Sequence, residues 1–269
     1  MNMHKVLIAA GTLSLAFLLN GCSIWNAEGD RTEVTATYVS GTVTLDGKLD
    51  EPAWHNTPAY SLTHAKKQFR KVVRPAQEYF SKGVIEPGKV RLLWNEKYLF
   101  VGFEFTDADV IAEGETDQLN HYLLGDVAEV FLKPLNQTWY WELYVTPAGR
   151  KTSYFFPGRG VVGLPSGFAK KPTLPGMKTA AVCKGTLNNS WDRDKKWFAE
   201  MAIPLNELNM VGERLEPGVP WTIFFGRYNF SRYLPWKENS NFPHIKPFNY
   251  HYYEKFATLK MVKPEGEGK

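Results

Sequence analysis

Residues 89–107 read Lys-Val-Arg-Leu-Leu-Trp-Asn-Glu-Lys-Tyr-Leu-Phe-Val-Gly-Phe-Glu-Phe-Thr-Asp, and Gly125-Asp-Val-Ala-Glu-Val-Phe-Leu-Lys-Pro134 and Trp139-Tyr-Trp-Glu-Leu-Tyr-Val-Thr-Pro147 follow. Each run is short and rich in Val, Leu, Phe, Tyr and Trp, with turn formers such as Asn95-Glu96 and Gly125-Asp126 between them, so consecutive β-strands are expected. From Tyr98 to Phe105, Leu99, Val101, Phe103 and Phe105 share one face, and Tyr98, Phe100, Gly102 and Glu104 take the other. Two largely apolar faces predict an interior strand covered on both sides, as in a sandwich. Glu129 is a carboxylate within an apolar strand. It stands either at a sheet edge facing water or on the floor of a binding groove.

Outward from this centre, Asp46-Gly47 predicts a tight turn after a strand at Thr42–Leu45, Pro52 starts a helical turn, and Trp54 caps the core. Asp46 and Asp50 offer oxygens for a structural calcium, although turn chemistry accounts for both. Lys66, Lys67, Arg70, Lys71, Arg74 and Lys82 form a basic stretch read as a solvated or functional loop. Strands are expected at Lys151–Pro157, 177–187, 197–203, Trp221–Tyr228 and Phe256–Met261, with a short helical turn over Ile203–Leu208. A Gly/Pro-rich loop covers 157–176, and an aromatic loop carries Tyr233, Trp236, Phe242, Phe248, Tyr250 and Tyr252. Trp94, Trp197 and Trp221 are assigned to the core, Glu200 to a structural hydrogen-bond role, and Trp139 and Trp141 to one strand face open to solvent.

At the N-terminus an apolar run, Val6–Leu19, follows Lys5 and ends in Leu19-Asn20-Gly21-Cys22. The run is too short to span a bilayer comfortably and reads as a signal peptide. The ending resembles the bacterial lipobox, which implies acylation of Cys22, membrane attachment through that lipid and, with Ser23 next, the outer membrane. The expected organisation is 1–21 signal peptide, 22–37 polar tether, 38–262 one β domain and 263–269 a disordered tail.

The composition, 43% hydrophobic and 14% aromatic, suits a single globular domain, and a net charge of +4 without a basic, aromatic-interleaved motif argues against nucleic acid. With Cys22 lipidated, Cys183 has no disulfide partner. The six histidines, at 4, 55, 64, 121, 244 and 251, show no close His-x-x-x-His or His-x-His pairing, which argues against a zinc enzyme; apart from a structural calcium on Asp46 and Asp50, no cofactor is expected.

Leu45–Trp54, Val90–Val101, Asp126–Leu132, Trp197–Leu205 and Trp221 with Arg227-Tyr228-Asn229 together resemble the family-9 carbohydrate-binding modules, in the family's order and over residues 42–261. The resemblance implies an all-β fold, a two-sheet antiparallel β-sandwich of jelly-roll type with long aromatic and Gly/Pro-rich loops, that binds carbohydrate without catalysis. It also implies a sugar held between aromatic faces, with polar side chains reading its hydroxyls. By position along the motifs Glu129, Arg150 and Asn229 supply polar contacts and Trp236 one aromatic wall. Where the resemblance implies a second stacking Trp this sequence has Leu123, with Tyr122 beside it: either Tyr122 substitutes, or the sugar site is lost or altered.

Three alternatives stand beside this reading. A haem-binding domain would draw on His121, His244, His251 or Met201. A protein-binding scaffold would use the same fold. A glycoside hydrolase needs two carboxylates, and none lies in a recognisable catalytic motif.

Overall fold

The computed structural model describes residues 31–64, 83–159, 172–209, 212–245 and 249–263. The signal peptide, Cys22, the basic stretch from 65 to 82, the centre of the Gly/Pro loop from 160 to 171, Phe248 and the tail beyond 263 lie outside them. The expected strands form where apolar residues alternate: β4 (Gly88–Trp94), β5 (Tyr98–Thr106), β6 (Val127–Pro134), β7 (Tyr140–Val145) and β8 (Lys151–Phe156). They are followed by β9 (Lys178–Lys184), β10 (Lys196–Pro204), β11 (Trp221–Asn229) and β13 (Ala257–Val262). Short helices α1 (Pro52–His55), with Pro at its first turn, and α2 (Leu205–Leu208) lie where expected.

Four strands were not read from the sequence: β1 (Glu33–Tyr38), β2 (Ala59–Ser61), β3 (Thr63–His64) and β12 (Glu238–Phe242). β1 corrects the expected 22–37 tether, because the last five residues of that segment, 33–37, enter the sheet, with Val34 and Ala36 wholly buried. Residues Thr42–Leu45, expected as a strand, form none.

Hydrogen bonding links the described strands in the order β8-β7-β6-β11-β13-β1-β4-β5-β10-β9, with β12 and β2 attached to β11 and β4, and β3 beyond β12. The pairing is antiparallel everywhere except at β1, which runs parallel to both β13 and β4. The two ends of this path approach each other. Thr179 Oγ1 of β9 donates to Gly149 O, in the turn before β8, at 2.7 Å, and Lys151 Nζ donates to Met177 O. The fold is therefore nearly all β, one large and almost closed sheet.

The main core fills its interior, where Leu99, Val101, Phe103 and Phe105 of β5 meet Ala128, Val130 and Leu132 of β6 and Trp94, Trp197 and Trp221. Trp141 belongs to this core and Trp139 packs against it, edge-on to Trp141 at 5.2 Å, which corrects the expectation that this pair is exposed. Phe100 and Tyr98, on the other face of β5, join Trp54 in a separate apolar cluster, so β5 is covered on both sides as its pattern predicts. Glu200 serves this second cluster. Its carboxylate accepts from Asp46 N (2.9 Å), Gly47 N (2.6 Å) and Trp54 Nε1 (3.0 Å) and so fastens the Asp46-Gly47 turn to β10. Asp46 itself pairs with Lys48.

Candidate functional site

Strand alternation decides which side chains share a face, and β6 places Ala128 and Val130 in the main core and Glu129 on the opposite side. Register then gathers the neighbours: Glu129 stands opposite Tyr144 of β7 and Gly226 of β11, Phe131 opposite Glu142, Glu142 opposite Tyr154 of β8, and Val127 opposite Tyr228. Glu129, Tyr144, Glu142, Tyr154 and Tyr228 thus form one polar-aromatic surface across β8, β7, β6 and β11. Toward the other end of the strands the same face is closed by Phe131, Tyr140, Phe224, Ile245, Tyr250 and Phe256.

Glu129 is in an interior strand and only 1% exposed. This excludes the edge-strand alternative and places it on the floor of the surface, under half-buried Tyr122 and Tyr228. Its Oε2 has no hydrogen-bond partner among the described residues. Burial, and then the nearby charge of Glu142, hold its carboxyl well above the ordinary range, against the pull of Lys237. Burial pushes Glu142 up to about 7, although Tyr144 donates its hydroxyl to Glu142 Oε1. Tyr154 is pushed up to about 12, by burial first and by Glu142 second. A carboxyl that keeps its proton can donate as well as accept hydrogen bonds, and burial favours that form at both Glu129 and Glu142.

Gly226 lets this surface close on itself. A β-carbon there would lie 2.7 Å from Tyr250 Cε2 and 3.1 Å from Glu129 Oε2.

Tyr122 arrives on a single 3-10 turn, His121–Leu123. The segment before it is laid along β8: Gln118 Nε2 donates to Ser153 O, Thr152 Oγ1 to Leu119 O and Tyr154 Oη to Asn120 Oδ1, all at 2.8 Å. These bonds bring the Tyr122 ring to 6.3 Å from Tyr144 and 5.6 Å from Tyr228. Leu123 points away, 63% exposed. Tyr122 and Glu129 are therefore brought together.

Arg150 is exposed in the β7–β8 turn, with its backbone N–H on Thr146 Oγ1 at 3.1 Å, and its charge is felt at His121 beside Tyr122. Trp236 is 59% exposed and lines a cleft of about 550 Å³ with Ile111, Asn188, Phe230 and Lys237. Lys237 connects that cleft to the tyrosine surface, its Nζ lying 4.7 Å from the Tyr228 ring centre and 4.8 Å from that of Phe230.

Asn229 is placed differently. It sits on the inner face of β11, fully buried, and donates to Glu86 Oε2 at 2.7 Å. It belongs to a buried polar network in which Arg227 pairs with Asp107 at 2.9 Å and donates to Glu86 O at 2.7 Å. This corrects its expected role as a ligand contact, because odd and even residues of β11 face opposite sides. Among the haem-ligand candidates Met201 is buried in the main core, while His244 Nδ1 and His251 Nδ1 are within hydrogen-bond distance of Thr63 Oγ1 and Tyr140 Oη.

Glu142, Tyr144, Tyr154, Tyr228 and Lys237 were not singled out from the sequence. The signal was present: Tyr140, Glu142 and Tyr144 alternate with Trp139, Trp141 and Leu143, the same pattern that drew attention to Glu129.

Solved structures share this fold. A Bacteroides uniformis protein provisionally described as carbohydrate-binding superposes with a TM-score of 0.63 at 14% identity, over 87% of this chain and all of its own. A family-9 carbohydrate-binding module from Caldicellulosiruptor kristjanssonii in complex with cellotriose gives 0.55 at 14% identity, over 88% of this chain and 97% of its own. Its complex with glucose gives 0.53 at 13% identity, over 87% and 98%. No family profile and no curated protein matches the sequence.

Proposed function

We propose that this chain, built on the two-sheet β-sandwich plan of the family-9 modules, is a non-catalytic carbohydrate-binding protein, displayed on the cell envelope through lipid on Cys22. The observation that carries the binding reading is the surface made by Glu129, Glu142, Tyr122, Tyr144, Tyr154 and Tyr228. A pyranose has an apolar C–H face and a rim of hydroxyls, and this surface offers rings beside buried carboxyls, one with an unpartnered oxygen. In this reading Tyr122 takes the place of the stacking Trp at whose position Leu123 stands, Trp236 and Arg150 bound the site, and a sugar hydroxyl meets the Glu129 carboxyl. The lipid anchor rests on the Leu19-Asn20-Gly21-Cys22 sequence.

A screen of the purified protein on neutral polysaccharide affinity gels and a glycan array, beside Glu129→Gln and Trp236→Ala variants, tests this. Retention of the parent with loss in Glu129→Gln, at unchanged melting temperature, is the expected result. No retention by a folded parent, or turnover of a chromogenic glycoside, would overturn it. Metabolic labelling with palmitate, abolished by Cys22→Ala, tests the anchor.

A further inference from the structure

The turn that presents Tyr122 is seated on a side chain with no polar partner. His121, the first residue of that 3-10 turn, is 1% exposed, and neither of its ring nitrogens has a hydrogen-bond partner among the described residues. Its ring lies against the backbone of Gly114. A β-carbon there would stand 2.6 Å from His121 Nδ1, 2.8 Å from its Cε1 and 3.3 Å from Leu124 Cδ1, so Gly114 leaves the space that the imidazole fills.

Both flanks of the turn are fixed independently of it. Gln118, Leu119 and Asn120 are bonded to β8, and on the far side Gly125 bridges to Ala112 and Asp126 N donates to Ile111 O at 2.7 Å. Between these anchors the backbone bonds are few: Leu123 N to Asn120 O at 3.0 Å, Leu124 N to His121 O at 2.8 Å and Glu113 N to Leu124 O at 2.9 Å, with no side-chain cap. Residues 121–124 can therefore open while the sheet stays closed.

Charge decides whether His121 stays in place. A neutral imidazole leaves one N–H and one ring nitrogen unpaired there, whereas an imidazolium leaves two donors and a full buried charge. Two charged side chains act on the ring: Asp117 favours its protonation and Arg150 opposes it, and both are exposed. Glu113 and Glu115, on either side of Gly114, are exposed as well. Burial is the largest influence and holds His121 below the ordinary histidine range. Released into water, a histidine ionises near ~6.5. The closed turn thus binds fewer protons than the open one, and its stability is lost as pH falls below ~6.5. Glu129 and Glu142, the carboxyls of the tyrosine surface, are raised by burial and respond in the opposite sense, because acid relieves them of charge.

We propose that His121 is the positioning residue for Tyr122 and an acid-sensitive latch on the tyrosine surface. Neutral, it seats the turn on Gly114 and keeps the Tyr122 ring beside Tyr144 and Tyr228. Protonated, it leaves for water and draws Tyr122 out of the surface. The consequence for binding rests on the carbohydrate reading: a sugar held at neutral pH is released in mild acid.

Amide hydrogen exchange of the ligand-free protein tests the latch, so the outcome of a glycan screen does not decide it. Protection of the Leu123 and Leu124 amides, corrected for intrinsic exchange, is compared at about pH 7.5 and 5.5, one unit either side of an exposed histidine. The parent is measured beside His121→Phe, which keeps a ring over Gly114 and cannot ionise. The parent is expected to lose about tenfold in protection at these two amides in acid, with the β6 amides unchanged, and His121→Phe to lose none. Equal protection of the parent at both values, or the same loss in His121→Phe, would overturn the proposal. A carbon NMR titration of the His121 ring in the parent keeps the test open if the variant does not fold. Ring ionisation in step with the loss of protection supports the latch, and ionisation near ~6.5 with the turn still protected overturns it. Failure here leaves the tyrosine surface standing as a carbohydrate site without acid control.

Discussion

Glu142 and Glu200 show how single carboxyls on an apolar framework set the pH response of the molecule. Burial pushes both up to about 7 in the folded protein, whereas an unfolded glutamate ionises near ~4.3. The folded state therefore holds these protons more tightly. Stability falls as pH rises from ~4.3 to about 7, and the loss is complete above that. Glu142→Gln keeps the acceptor for Tyr144 and removes one titration, so urea unfolding from pH 5 to 8 should show a shallower decline than in the parent. Equal slopes would show that Glu142 ionises in the folded state as freely as in water. Glu200→Ala is a harsher change. It strands two backbone N–H groups and the Trp54 indole N–H, and thermal unfolding should register a loss of roughly 2–4 kcal/mol.

Elements were legible wherever one strand carried its own pattern. The runs 89–94, 98–105 and 126–133 alternate so clearly that their strands, and the double burial of β5, follow from sequence alone. β1 and β12 were not legible, for physical reasons. β1 hides in a polar segment because Val34 and Ala36 are its two fully buried apolar residues, and its parallel partners, β4 and β13, lie far away in sequence. β12, Glu-Asn-Ser-Asn-Phe, has almost no apolar signal, and its burial comes from β11 and from Tyr250, whose hydroxyl donates to Ser240 O at 3.0 Å. The site was half legible. Glu129 and Tyr122 could be named, but their meeting depends on Gln118–Asn120 lying along β8, and the inward turn of Asn229 depends on strand register. Gly226 has a testable place at this scale. In Gly226→Ala the new methyl meets the buried Tyr250 ring, and chemical denaturation should show a loss of about 1–3 kcal/mol.

At the scale of the molecule, a nearly closed sheet with aromatic loops at its margins separates two tasks. The interior, with Trp94, Trp141, Trp197 and Trp221, holds the fold together, and the outward face of β6, β7, β8 and β11 is left to carry polar chemistry on a rigid support. Trp236 and Trp191 stand exposed on different loops. The framework is a fold shared with solved structures that are 13–14% identical to this chain.

In the proposed site Tyr122, and not Leu123, completes the tyrosine surface, and calorimetric titration of the tightest neutral glycan into Tyr122→Ala and Leu123→Ala tests this. The expected result is at least a tenfold loss of affinity in Tyr122→Ala and parental affinity in Leu123→Ala, with both variants folded. Parental affinity in Tyr122→Ala, or loss confined to Leu123→Ala, would contradict it.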